Sequence, residues 1–185
     1  MLADALRRRS FKSESLSTIA RPRARYPWLA RKEKDYMDDL KNILVRTSTE
    51  NDAEFAFRAV KETMRDYAIA TWGSWHEDGS LKDAIADTKS GKTQIIELDG
   101  TPVGVLQVER FSTHLQLNQI YILPDFQNRK IGSLLIRELI LRAKNEKLPL
   151  RLRVLAVNPA KKLYEKMGFV VYEETKEIIF MEIAP

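Results

Sequence analysis

From Ile43 onward, apolar and polar residues fall into short ordered patterns. Ile43 to Arg46 reads as a first strand, and Thr49 to Asp52 offers polar caps and early acids for a helix start. Ala53, Phe57, Val60 and Met64 then recur at helix-face spacing, which predicts an amphipathic helix. The run Trp72-Gly73-Ser74-Trp75-His76-Glu77 interrupts that face. A second helix follows from about Leu81 to Lys89 and stops at Ser90-Gly91. Thr93 to Leu98 and Pro102 to Arg110 flank Asp99-Gly100, the strongest hairpin signal in the chain. In the next strand, His114 to Leu123, Leu115 and Leu117 share one parity while Ile120 and Ile122 share the other. Either one inserted residue near Asn118 and Gln119 keeps all four on a single buried face, or the strand is buried on both faces.

Beyond Pro124 a polar loop leads into a helix whose apolar positions include Ile131, Leu134, Leu135, Leu139 and Ala143. Leu150 to Val157 reads as a strand and Asn158 to Met167 as a short helix, with Asn158 at the N-cap, Pro159 at the first helical position and Gly168 just past the end. Val170 to Glu174 and Ile178 to Ile183 close the chain as strands. A hairpin half followed by a βαβ half implies a mixed sheet.

Composition narrows the chemistry. There is no cysteine, which excludes disulfides, thiolate metal sites and cysteine nucleophiles, and only His76 and His114 could supply imidazole. No apolar run is long enough to cross a bilayer, so no membrane partner and a cytoplasmic location are expected. The net charge of +5 is unevenly placed: residues 1 to 34 carry ten basic and three acidic residues, +7, which leaves −2 for the rest. The folded part therefore offers no general electrostatic case for nucleic acid. The chain divides into a basic, poorly ordered extension, residues 1–40, and a domain, residues 41–185. The extension is compatible with a solvated tail, with an organellar transit peptide, or with upstream codons ahead of a true start at Met37.

Two groups of residues carry candidate chemistry. Gln127-Asn128-Arg129-Lys130-Ile131-Gly132-Ser133 joins a strand to a helix, where free backbone N–H groups and the helix dipole suit an anion such as a pyrophosphate. The bland alternative is a solvated basic face. Asn158 and Tyr164 form the second group, with a helix cap and a core tyrosine as their structural alternatives.

In combination these residues resemble a known family. Ile120-Tyr121-Ile122 followed by the Gln127 to Ser133 loop and a helix is similar to the acetyl-CoA signature of the GNAT superfamily of N-acetyltransferases, a strand followed by Gln/Arg-x-x-Gly-x-Gly/Ala. Some way on, Asn158 and the block Tyr164-Glu165-Lys166-Met167-Gly168-Phe169 resemble the same superfamily's asparagine and its Tyr-x-x-x-Gly-Phe element. The resemblance implies an α/β (α+β) fold, a mixed, mostly antiparallel sheet of about seven strands flanked by about four helices. It implies acetyl-CoA as co-substrate, no metal, and transfer of an acetyl group to a primary amine of a small molecule or protein by direct attack in a ternary complex. Ile120, Tyr121, Ile122, the loop from Gln127 to Ser133 and Asn158 would hold the cofactor, and Tyr164 would protonate the departing thiolate. Lys130 stands where the signature has its first glycine, so either the loop avoids left-handed geometry or it is distorted. No carboxylate lies between His114 and Gln119; Glu109, His114 and Glu77 are candidate bases beside a water relay. Trp72, Trp75 and Glu109 are candidate acceptor-binding residues, and a homodimer is compatible with the family. The alternatives are a non-catalytic acyl-CoA-binding module and a ribosome- or RNA-associated factor that uses the basic arm.

Overall fold

The computed structural model describes residues 42–185, so the expectations for the basic extension lie outside the described residues. β1 (Ile43–Thr47) leads through a 3-10 turn (Glu50–Asp52) into α1 (Ala53–Trp72) and α2 (Glu77–Lys89), then into β2 (Gln94–Leu98), β3 (Thr101–Arg110) and β4 (Leu115–Ile122). A second 3-10 turn (Pro124–Phe126) precedes α3 (Ile131–Glu146), β5 (Leu150–Leu155), α4 (Lys161–Lys166), β6 (Val170–Glu174) and β7 (Ile178–Ile183). The strands form one sheet in the order β1-β2-β3-β4-β5-β7-β6. All neighbours are antiparallel except β4 and β5, where α3 is the crossover that returns the chain in the same direction. Among the described residues, the mixed, mostly antiparallel sheet of seven strands with four helices is the one expected.

Local chemistry sets the elements. Asp99 (φ 51°) and Gly100 (φ 78°) are both left-handed, as a tight two-residue hairpin between β2 and β3 requires. Asp52 secures the start of α1: it accepts from the Thr49 N–H (2.7 Å) and hydroxyl (2.9 Å) and from both terminal nitrogens of Arg46 (2.7 and 2.8 Å). Arg46 also donates to Glu97 (2.7 Å), so β1, β2 and the helix start share one charged cluster. α2 begins at Glu77, ahead of the periodic signal, because Glu77 and Asp78 favour its first turn while its only buried residues are Ala84 and Thr88.

Two apolar clusters cover the two faces of the sheet. The larger packs Leu115, Leu117, Leu150 and Met181 against Ile136 and Ile140 of α3. The smaller places Ala56, Ala59 and Ala84 of α1 and α2 over Ile95 and Val105. The α1 stripe differs from the sequence reading: Ala53, Phe57, Val60 and Met64 are only half-buried, and Ala56 and Ala59 meet the sheet. Alanines let the helix lie close to β3 and β4, and Phe55 and Phe57 fill the flanks.

In β4, Gln107 of β3 pairs with Gln119, and the next β3 residue, Val108, pairs with Leu117. The extra residue is Asn118, a bulge, and Leu115, Leu117, Ile120 and Ile122 all join the α3-side cluster. The alternative of a strand buried symmetrically on both faces is not what produces the parity change.

Candidate active site

β4 and β5 pair only from Leu115 to Leu117 and from Leu150 to Leu152. Beyond those residues β4 keeps its ladder with β3 to Ile122, and β5 keeps its ladder with β7 to Leu155. The two parallel strands diverge at the bulge and leave two open edges facing each other. Leu123 N–H donates to the Val103 carbonyl (2.9 Å), so by alternation Tyr121 and Gln119 also turn their backbone toward β3. Ile120 and Ile122 turn theirs to the gap. The Gln127 side chain takes the Ile122 carbonyl (2.9 Å), which leaves the Ile120 groups and the Ile122 N–H to be satisfied by water or by an amide-bearing ligand. Tyr121 thus brings its side chain rather than its backbone to the site.

The loop at the mouth of this gap is shaped by two left-handed residues, Asn128 (φ 61°) and Lys130 (φ 65°). Such residues turn successive N–H groups toward one concavity. The first bond of α3 runs from Leu134 N–H to the Lys130 carbonyl (2.9 Å), so the N–H groups of Ile131, Gly132 and Ser133 stand ahead of the helix ladder. The Ile131 side chain is in the core, leaving only its backbone for a ligand. A Cβ at Gly132 would meet only Ile122 Cγ1, at 4.0 Å, so no packing inside the protein demands glycine there and the space is open to a ligand. Arg129 lies over the Phe126 ring (5.1 Å), and Gln127 to Lys130 are exposed. These groups fit a pyrophosphate. Lys130 retains the left-handed geometry instead of avoiding it, at a cost of about 1–2 kcal/mol for a residue with a Cβ.

Across the gap, the α4 region supplies Asn158 and Tyr164. Asn158 Oδ1 accepts from Ala160 N–H (2.9 Å), and Nδ2 has no partner among the described residues. The expected cap is displaced: the helix begins at Lys161 with Ala160 as its N-cap, and the Asn158 side chain closes the Pro159–Ala160 turn ahead of it. Phe169 N–H bonds to the Tyr164 carbonyl (3.1 Å) and Gly168 N–H to that of Glu165 (3.0 Å), with Gly168 at φ 99°. This is a Schellman ending, and its accompanying contact is the edge-on packing of Phe169 on Tyr164, centroids 5.8 Å apart. The Tyr-x-x-x-Gly-Phe spacing therefore has a local cause: it ends the helix and clamps the tyrosine ring. Tyr164 is buried, and burial, with a smaller contribution from Tyr121, pushes its phenol up to about 12. Burial also raises Tyr121, whose charge interaction with Arg153 of β5 acts in the opposite direction. Two phenols and a guanidinium thus share one field where β4 and β5 part.

Other candidates are placed as follows. Trp72, 52% exposed, donates from Nε1 to Glu177 in the β6–β7 turn (3.3 Å). Trp75 is half-buried, its Nε1 has no partner among the described residues, and with His76, Glu77, Asp78 and Gly79 it lines a depression of about 450 Å³. Glu109 receives a long bond from Asn118 at the bulge (3.4 Å). Glu77 is paired with Lys61 (2.7 Å). His114 stacks on Phe111 (4.7 Å) at the β3–β4 turn, seven residues from Tyr121 and so ~20 Å along the strand. Sequence reasoning missed Gly104, whose Cβ would collide with the Tyr121 carbonyl; its only signal is a glycine amid β-formers. Among the described residues no cluster of His, Asp or Glu could hold a metal, and no helix is long and apolar enough to cross a membrane.

A mixed sheet opened between two parallel strands, with a loop of free N–H groups at its mouth and the buried Tyr164 at its side, has the architecture of an acyltransferase. The chain belongs to the GNAT family of acetyltransferases: the family's sequence profile, "Acetyltransferase (GNAT) domain", matches residues 60–180. Acetyl-CoA is its co-substrate. In structure the chain is similar to the PaiA N-acetyltransferase of Thermoplasma acidophilum, solved in complex with coenzyme A (20% identity, 77% of this chain and 99% of that one, TM-score 0.60). It is also similar to an acetyltransferase of Thermus thermophilus (17% identity, 79% and 99% covered, TM-score 0.63). A third relative is the ribosomal-protein-S18-alanine N-acetyltransferase of Escherichia coli (19% identity, 77% and 93% covered, TM-score 0.55). Among curated proteins none matches the chain in sequence.

Proposed function

We propose that the protein is an N-acetyltransferase that moves the acetyl group of acetyl-CoA to a primary amine within a ternary complex. The observation that carries this reading is the position of Tyr164, a buried phenol clamped by Phe169 and electrostatically joined to Tyr121 beside the open strand edges. Acetyl-CoA supplies the activated thioester. The N–H groups of Ile131, Gly132 and Ser133, with Arg129 and Lys130, hold its phosphates. The gap-facing backbone of Ile120 and Ile122, with Asn158 Nδ2, pairs with the amides of its arm, and an N–H there polarises the carbonyl. As the amine forms the new C–N bond, the C–S bond breaks with its electron pair on sulfur, and the proton shed by nitrogen balances the thiol.

Tyr164 serves the departing sulfur. A phenol near 12 is a weaker acid than a thiol at about 8.5. Its O–H therefore stays intact at neutral pH and stabilises the developing thiolate by donating to it, and any proton it gives is replaced from the new amide nitrogen. Tyr164→Phe is the decisive variant, assayed for CoA release with a panel of amines and for acetyl-CoA affinity. The expected result is a fall in kcat on the order of a hundredfold with affinity nearly unchanged. Wild-type turnover would return Tyr164 to the core alone. Acetyl-CoA binding without CoA release by the wild-type protein, for any amine, would favour the non-catalytic acyl-CoA-binding module.

A further inference from the structure

On the α1-side face of β5, two arginines two residues apart have different surroundings. Arg151 pairs across the strands with Glu182 of β7, bonds it at 2.6 Å, and lies over the Tyr172 ring (5.4 Å). Arg153 stands opposite Phe180, and among the described residues no carboxylate answers it. Arg153 is also the first β5 residue past the last β4–β5 pair, Leu117 with Leu152, so it stands where the strands part. Its neighbours Leu152 and Val154 face the α3-side core, which turns the exposed Arg153 side chain to the opposite face, the face that carries the Tyr121 ring. Its charge reaches Tyr121, which agrees with that placement.

An exposed arginine beside the reacting gap is an unusual choice for an enzyme that must receive an amine, since a guanidinium repels an ammonium. We propose that Arg153 is a specificity-determining residue that binds a carboxylate on the acceptor, so that the acceptors are amines bearing a carboxylate, of amino-acid type. This rests on the N-acetyltransferase reading above. The planar fork of the guanidinium matches a carboxylate bidentately. Its positive charge also disfavours the protonated amine and so favours the neutral nucleophile, in a site where β4 supplies no carboxylate base.

The test offers amines in matched pairs, each amino acid beside its own carboxamide, and follows CoA release with the full chain. For the wild type, kcat/KM should favour the carboxylate member by about tenfold or more, mostly through KM. Arg153→Gln should erase that preference, Arg153→Lys should keep part of it, and the dissociation constant for acetyl-CoA should not change in either. Equal rates for acid and amide, or an undiminished preference in Arg153→Gln, would overturn the proposal. So would acetylation confined to amines that lack a carboxylate. If the protein neither bound acetyl-CoA nor released CoA with any amine, the acetyltransferase reading beneath the proposal would be what failed.

Discussion

Single ionisable groups show how burial and partners set both stability and chemistry. Asp52 is held down to about 2, chiefly by its hydrogen bonds from Arg46, with the Thr49 N–H and hydroxyl assisting against the cost of burial. Because the folded value lies below the unfolded 3.8, this contribution is present above about pH 4 and is lost as pH falls toward 2. It amounts to roughly 2 kcal/mol. Urea midpoints measured across that window should fall for the wild type, and Asp52→Asn should be less stable at pH 7 and fall less steeply between pH 4 and 2, the remaining slope coming from carboxylates such as Glu146 that are also held down. Tyr164 has the opposite sign: its raised phenol leaves stability intact below pH 10 and erodes it as pH climbs toward about 12. Tyr164→Phe should remove that alkaline loss, which thermal melts between pH 9 and 11.5 would reveal.

At the scale of elements, the loop before α3 and the β3–β4 pair each contain one residue that local propensity does not favour or explain. Lys130→Gly removes the left-handed strain and one positive charge from the cradle. We expect stability to rise by up to ~1 kcal/mol, tempered by glycine's greater freedom in the unfolded chain, while the acetyl-CoA dissociation constant rises several-fold. A higher melting temperature combined with unchanged affinity would show that Lys130 does not touch the phosphates. Gly104→Ala drives a Cβ into the Tyr121 carbonyl and toward Ile122 Cδ1 (2.9 Å). The strand must move, at a cost of about 1–3 kcal/mol. Since Ile122 borders the gap, acetyl-CoA affinity should drop together with the denaturation midpoint.

At the scale of the molecule, the seven strands and both apolar clusters of the described residues lie within 43–183 and close one sheet and its two faces by themselves. A chain beginning at Met37 should therefore fold and bind acetyl-CoA like the full one, and thermal shifts with and without the ligand would check this. Ligand-dependent stabilisation lost in the shorter chain would assign the arm a part in the site. Salt-sensitive RNA binding that disappears with it would instead support the ribosome- or RNA-associated alternative.

What the sequence determined by itself is what local rules encode. The hairpin at Asp99-Gly100, the parity change around Asn118 and the stop at Gly168 each follow from the conformational demands of a few adjacent residues, and all are present as read, whereas the helix expected from Asn158 starts only at Lys161, after a turn that the Asn158 side chain closes. The parity change alone left two explanations open, and only the pairing of β4 with β3 chose the bulge. Other features needed chain segments far apart in sequence to meet. Ala56 and Ala59 replaced the larger residues as the buried stripe because helix-to-sheet distance is set by the partner surface. Gly104 is required by a carbonyl on the neighbouring strand. Arg153 differs from Arg151 through the residue that β7 places opposite each, and through the end of β4–β5 pairing between them. Such properties belong to pairs of elements rather than to a window of sequence, so only the tertiary structure could decide them.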